Sequence, residues 1–102
     1  MIKVFVYGRL MKNGHYHQHY LQGQTFLGKG FIEGYTKYVL SGLHGIRPKE
    51  GEQVQGELYE IDAATLAKLD FLQNSDCFTR SIVAVELENG DTFPAEAHIW
   101  KG

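Results

Sequence analysis

The sequence predicts an α+β domain: a small mixed, mostly antiparallel β-barrel of about five or six strands with two short flanking helices. Three observations carry that prediction. Glycine and aromatic residues are abundant together, 12 Gly beside 6 Phe, 6 Tyr and 1 Trp in 102 residues, which suits strands with bends and bulges. The first strand is apolar on both sides, with Ile2, Val4 and Val6 on one face and Phe5 and Tyr7 on the other, the pattern of a strand covered twice. Strands follow one another without regular βαβ alternation, and Asn89-Gly90 marks a closing hairpin.

Each element follows from its residues. The strand of residues 2–7 stops at Gly8, where backbone freedom begins. Residues 12–23 read as a loop and then a short helix, with Tyr16 and Tyr20 at i and i+4 and Gly23 as C-cap. Residues 25–40 carry eight apolar or aromatic positions from Phe26 to Leu40, punctuated by Gly28, Gly30 and Gly34, and predict a bent or bulged strand. Residues 41–52 read as a polar loop and Val54 to Ile61 as the next strand. Asp62 is an N-cap before the clearest helix, 63–73, whose Leu66, Leu69, Asp70 and Gln73 share one face. Ser81 to Glu88 and Thr92 to Trp100 form the final hairpin. A two-residue type I′ turn would place Leu87 opposite Thr92, and Pro94 needs an edge or a bulge.

Composition narrows the function classes. A net charge of −2 and a pI near 6.2 offer no general attraction to phosphate backbones, so no nucleic-acid partner is expected. No stretch approaches a membrane span, and the N-terminal residues turn polar too soon for a signal peptide. One cysteine, Cys77, excludes an internal disulfide and a multi-cysteine zinc site. A single domain over 1–102 in the cytoplasm is the expectation.

Four places could carry chemistry. Tyr7-Gly8-Arg9-Leu10 ends a strand in a glycine turn, where successive N–H groups can form an anion-binding nest. His15, His17 and His19 alternate, but a helix puts only His15 and His19 on one face, with no acid or cysteine beside them. A solvated or ring-packed cluster is expected there, and no metal. Cys77 reads as an inert thiol, because Arg80 would project from the other face of the strand. The segment from Leu69 to Arg80 brings Asp70 and Gln73 onto an apolar helix face, where polar side chains need partners or serve a site.

Val4-Phe5-Val6-Tyr7-Gly8-Arg9-Leu10 followed by Gly14 resembles the opening V-F-V-Y-G-[TS]-L of the γ-glutamylcyclotransferase-like (AIG2-like) family. Gly56-Glu57-Leu58-Tyr59-Glu60-Ile61 resembles that family's middle strand. Leu69-Asp70-Phe71-Leu72 and Phe78-Thr79-Arg80 resemble its L-D-x-L-E and Y-x-R blocks. The resemblance covers nearly the whole chain and implies a small mixed barrel with flanking helices. It also implies release of 5-oxoproline from γ-glutamyl compounds without a cofactor: the α-amine attacks the γ-carbonyl of the same molecule, the turn amides hold its carboxylate, and a glutamate moves the proton.

The glutamate's position is Gln73, whose amide cannot act as a base. Arg9 stands where the family has Thr or Ser, and Phe78 where it has Tyr. The resemblance therefore assigns Tyr7, Gly8, Arg9, Leu10, Phe78 and Arg80 to ligand binding and Gln73 to the catalytic position. The expectation is a pocket for a small anionic amino-acid-like ligand, with weak or absent turnover. The alternatives are an active enzyme with Asp76 as displaced acid–base, and a non-catalytic interaction module. Asp70 reads as structural, and the orientation of Glu57 and Glu60 is left open.

Overall fold

β1 (Ile2–Val6) is the strand on which two apolar layers meet. Phe5, with Tyr7 just past the strand's end, enters the barrel interior beside Ile32, Ile46, Leu58 and Val85. Val4 and Val6 face the other way, against Leu10, Leu21, Leu66 and Leu69. Where both faces are covered, at Val4, Phe5 and Val6, the strand is apolar, and its one charged residue, Lys3, lies near the less buried start. The computed structural model describes residues 1–12, 14, 16–40, 43–73 and 77–101.

After β1 come a 3₁₀ turn (Gly8–Leu10) and a short α1 (His17–Tyr20). The long hairpin β2 (Thr25–Leu40) and β3 (Leu43–Ile61) leads to α2 (Ala63–Leu72), β4 (Phe78–Leu87) and β5 (Thr92–Trp100). The strands close into a barrel in the order β1-β3-β2-β4-β5. Every pairing is antiparallel except β1 with β5, which is parallel at Val4 and Glu96. The predicted class is therefore the observed one, a mixed five-stranded barrel with two helices. Pro94 lies on β5 away from that single β1 contact, where the strand is an edge on one side.

Two local expectations are corrected. Residues 43–52 are not a polar loop but the first part of β3, with Leu43–Pro48 paired to Tyr35–Leu40. Arg47, Pro48, Lys49 and Glu50 face water and Ile46 is buried, so an exposed two-stranded arm shows no alternation long enough to read. The final hairpin is also not type I′. Its last strand pair is Glu86 with Thr92 rather than Leu87 with Thr92. The Gly90 N–H donates to the Leu87 carbonyl (2.9 Å) and the Leu87 N–H to the Asp91 carbonyl (2.8 Å), enclosing a three-residue loop. Gly90 carries φ +94°, as the left-handed last residue of a three-residue loop does, where a type I turn is followed by a G1 bulge. Asn89 Oδ1 accepts from the Asp91 N–H at 2.9 Å, a local bond that a two-residue turn would not need.

α2 forms as expected. The Asp62 carboxylate accepts from the Thr65 N–H at 2.7 Å, a cap that satisfies one orphan donor of the first turn. Leu66 and Leu69 pack onto the outer face of β1, while Phe71 projects into water.

Candidate functional site

Four chain segments converge at one end of the barrel. β1 runs into the Gly8–Leu10 turn, β3 begins, α2 ends, and β4 starts at Phe78. Between them lies a small cavity open to solvent. Tyr7, Arg9, His44, Gln73 and Phe78 supply its chemistry; Leu10, Tyr16 and Leu72 complete its wall. The turn and Gln73, which sequence alone could only pair through the family pattern, thus share one cavity.

Gln73 is the C-cap of α2, its N–H bonded to the Leu69 carbonyl at 2.8 Å. Its Nε2 donates to the Tyr7 hydroxyl at 3.4 Å, and that hydroxyl donates to the His98 carbonyl at 2.6 Å. Burial pushes the Tyr7 phenol well above its ordinary value, so the hydroxyl keeps its proton. In the turn, the Leu10 and Met11 N–H groups bond back to the Tyr7 and Gly8 carbonyls. The amides of Gly8 and Arg9 lie outside those bonds.

Arg80 does not line the cavity. It shares a face of β4 with Phe78 but lies two residues along, where Asp70 and Glu96 claim its guanidinium, the latter at 2.8 Å. Asp70 also accepts from His98 Nε2 at 2.7 Å. The structural reading of Asp70 therefore stands, with partners the sequence did not name: it ties α2 to β4 and β5. Neither open glutamate reaches the cavity. Glu57 is buried and accepts from the Lys12 N–H (2.8 Å) and the Tyr59 hydroxyl (3.0 Å). Glu60 faces Lys3 at 3.6 Å. Asp76 and His15 lie outside the described residues. His17 Nδ1 bonds to the Leu10 carbonyl at 3.0 Å, and among the described residues no three His, Cys, Asp or Glu side chains gather as metal ligands.

The Asp70–His98 pair sets a pH dependence. Burial pushes the His98 imidazole below its ordinary 6.5, and Asp70 offsets only part of that. Burial pushes the Asp70 carboxyl up, but the His98 and Arg80 hydrogen bonds outweigh it and hold it below 3.8. Both depressions have the same sign for stability: the unfolded chain binds these protons at higher pH than the folded one. Stability is full above about pH 6.5, falls as buried His98 is forced to charge, and falls again below about pH 3.8 as Asp70 is protonated. The urea midpoint is expected to hold steady at and above neutrality and to drop on acidification, with a smaller first drop in His98→Gln. A midpoint that rises as the pH falls from neutrality to 5 would contradict this assignment.

The fold and the site geometry can be set beside known proteins. The model of the family described as gamma-glutamyl cyclotransferase, AIG2-like matches residues 4–102. The chain belongs to this family. It is 35% identical over 94 residues to a putative gamma-glutamylcyclotransferase of Methanocaldococcus jannaschii, covering 90% of this chain and 78% of that protein. It is 37% identical over 101 residues to a putative gamma-glutamylcyclotransferase of Drosophila melanogaster, covering 88% of this chain but only 64% of the fly protein. Among solved structures, a mouse AIG2-like protein superposes with a TM-score of 0.88 at 24% identity, over 99% of this chain and 78% of that one. That likeness fixes the fold of this cyclotransferase-family chain. No helix among its described residues is long and apolar enough to cross a membrane.

His44 is the site residue that sequence reasoning missed. It falls in the stretch read as a polar loop, and its neighbours in the cavity come from distant parts of the chain. No local signal marks it: in Leu43-His44-Gly45-Ile46 the two apolar positions fall on opposite strand faces, so the stretch shows no apolar–polar alternation.

Proposed function

We propose that this cavity binds the γ-glutamyl group of a small γ-glutamyl amine and cyclises it to 5-oxoproline only slowly, in the reducing setting that a lone Cys77 suits. One observation carries the reading: Gln73, at the family's glutamate position, lies in the same cavity as Arg9 and the Gly8–Leu10 turn. A guanidinium and two amides outside the turn's own bonds suit a carboxylate. A cavity that folds the ligand brings its α-amine to its own γ-carbonyl, which supplies proximity. The amide of Gln73 can orient a ligand through hydrogen bonds but cannot take its proton.

The test is calorimetric titration with γ-glutamylmethylamide, paired with a product assay for 5-oxoproline. Binding is expected in the wild type and weaker by roughly 10- to 100-fold in Arg9→Ala, since a hydrogen bond to a charged group contributes about 1.5–3 kcal/mol. The α-carboxamide analogue, which lacks the carboxylate, should bind as poorly to the wild type. Equal binding of the acid and its amide would remove Arg9 and the turn as the carboxylate site.

A further inference from the structure

Among the described residues that line the cavity there is no Asp or Glu, but there is one imidazole, His44. Its place is built by the fold. It stands near the start of β3, paired with Val39 of β2, and its ring lies against the turn that follows β1. Gly8 has φ +63°, and a Cβ there would come within 3.0 Å of His44 Nδ1, so a glycine is what lets the ring approach this closely.

The other histidines near the site are occupied. His17 is bonded to the Leu10 carbonyl, and His98 to Asp70. His44 Nδ1 is buried and has no hydrogen-bond partner among the described residues. A buried polar nitrogen left unpaired is a cost that a native site normally removes with a ligand or water. Burial, and then the charges of Arg9 from the turn and Lys37 from β2, favour the neutral ring. The other titratable groups around the cavity are the Tyr7 and Tyr16 phenols. A neutral imidazole facing the bound amine is a base; once charged beside Arg9, it is a ready acid.

We propose that His44 carries the proton in this cavity, the task that Gln73 cannot perform. The inference rests on the γ-glutamyl reading above and deepens it. The imidazole takes one proton from the ligand's α-ammonium. The freed nitrogen lone pair attacks the γ-carbonyl carbon, and the new ring C–N bond forms. As the tetrahedral intermediate collapses, the imidazolium returns its proton to the departing nitrogen and the old C–N bond breaks. The second proton on the attacking nitrogen leaves through the same imidazole. The products are 5-oxoproline and a protonated amine, with no water and no oxidant consumed.

The experiment compares the wild type, His44→Gln and His44→Ala with γ-glutamylmethylamide as ligand. Calorimetry reads binding, the product assay reads turnover, and a urea midpoint checks folding. His44→Gln is expected to lose about 10²- to 10⁴-fold in turnover, the usual worth of a general acid–base, with little change in Kd. The wild-type rate should climb along one limb below neutrality and level above it, and that limb should be absent in His44→Gln. Added imidazole should restore part of the turnover of His44→Ala.

Wild-type turnover in His44→Gln would overturn the proposal. So would a parallel loss of binding and turnover with the pH limb intact, which is what a structural role predicts. Ligand binding without any wild-type product would also overturn it while leaving the ligand pocket standing. Absence of binding would overturn the pocket reading itself, and this proposal with it.

Discussion

Gln73→Glu is expected to raise 5-oxoproline release from a γ-glutamyl amine by about 10²-fold or more, with little change in apparent affinity. The side chains are nearly isosteric, and the C-cap bond of residue 73 to the Leu69 carbonyl is a backbone bond that the substitution leaves alone. The gain appears in turnover because proton transfer contributes in the transition state and not in ground-state binding. The new carboxyl meets two opposing influences. Its partly buried position raises its pKa towards that of a useful base, and Arg9 across the same cavity lowers it. There is a structural cost as well. Gln73 now donates to the Tyr7 hydroxyl, and a carboxylate can only accept. Tyr7 would have to turn its single hydrogen away from the His98 carbonyl, a loss of about 1 kcal/mol. A gain in turnover with slightly lower stability is therefore the signature. His44→Gln added to this variant should cost far less turnover than in the wild type, since the introduced carboxylate then shares the proton-transfer task. No gain in turnover would mean that residue 73 is not positioned to meet the reacting amine.

The elements legible in the sequence are those whose residues answer to one local demand. From Val4 to Val6 β1 is apolar on both faces because it is buried on both, and α2 announces itself with a capping Asp62 and a leucine stripe. The closing hairpin was placed by Asn89-Gly90, but its loop length was not. Such a pair fits a two-residue turn and also the end of a three-residue one, and register decides between them. The β2–β3 arm was half missed because strands that face water carry no alternation. The site divides along the same line. Tyr7, Arg9 and Gln73 came from motifs that resemble the family's, and the cavity contains all three. Arg80 came from the same motifs, yet its charge is spent on Asp70 and Glu96, a pairing across three elements that no local pattern encodes. His44 reaches the cavity only through barrel closure.

Leu69→Ala is expected to be the most damaging single truncation outside the barrel interior, because it strikes the fold and the site together. Leu69 is 0% exposed and packs α2 against Val4, Val6 and Leu10 on the outer layer. Removing a buried leucine side chain costs about 2–5 kcal/mol, more where the walls cannot collapse. The rigid β1 and β3 backbones form one wall here, which favours the upper half of that range. For a domain of this size that is a fall in Tm of roughly 10–30 °C. The functional consequence follows from position. The last turn of α2 carries Leu72 and Gln73 into the cavity and sets Asp70 against His98 and Arg80. Loosening it widens the cavity on one side while the Gly8–Leu10 turn, tied through the Lys12 N–H to buried Glu57, keeps its shape. Ligand affinity measured well below the new Tm should therefore fall even in the folded fraction. Phe71→Ala is the matched control two residues away. Phe71 is 88% exposed, so its loss should leave stability within about 0.5 kcal/mol and binding unchanged. A Leu69→Ala protein with wild-type affinity would mean that the end of α2 is held by the Asp70 network alone.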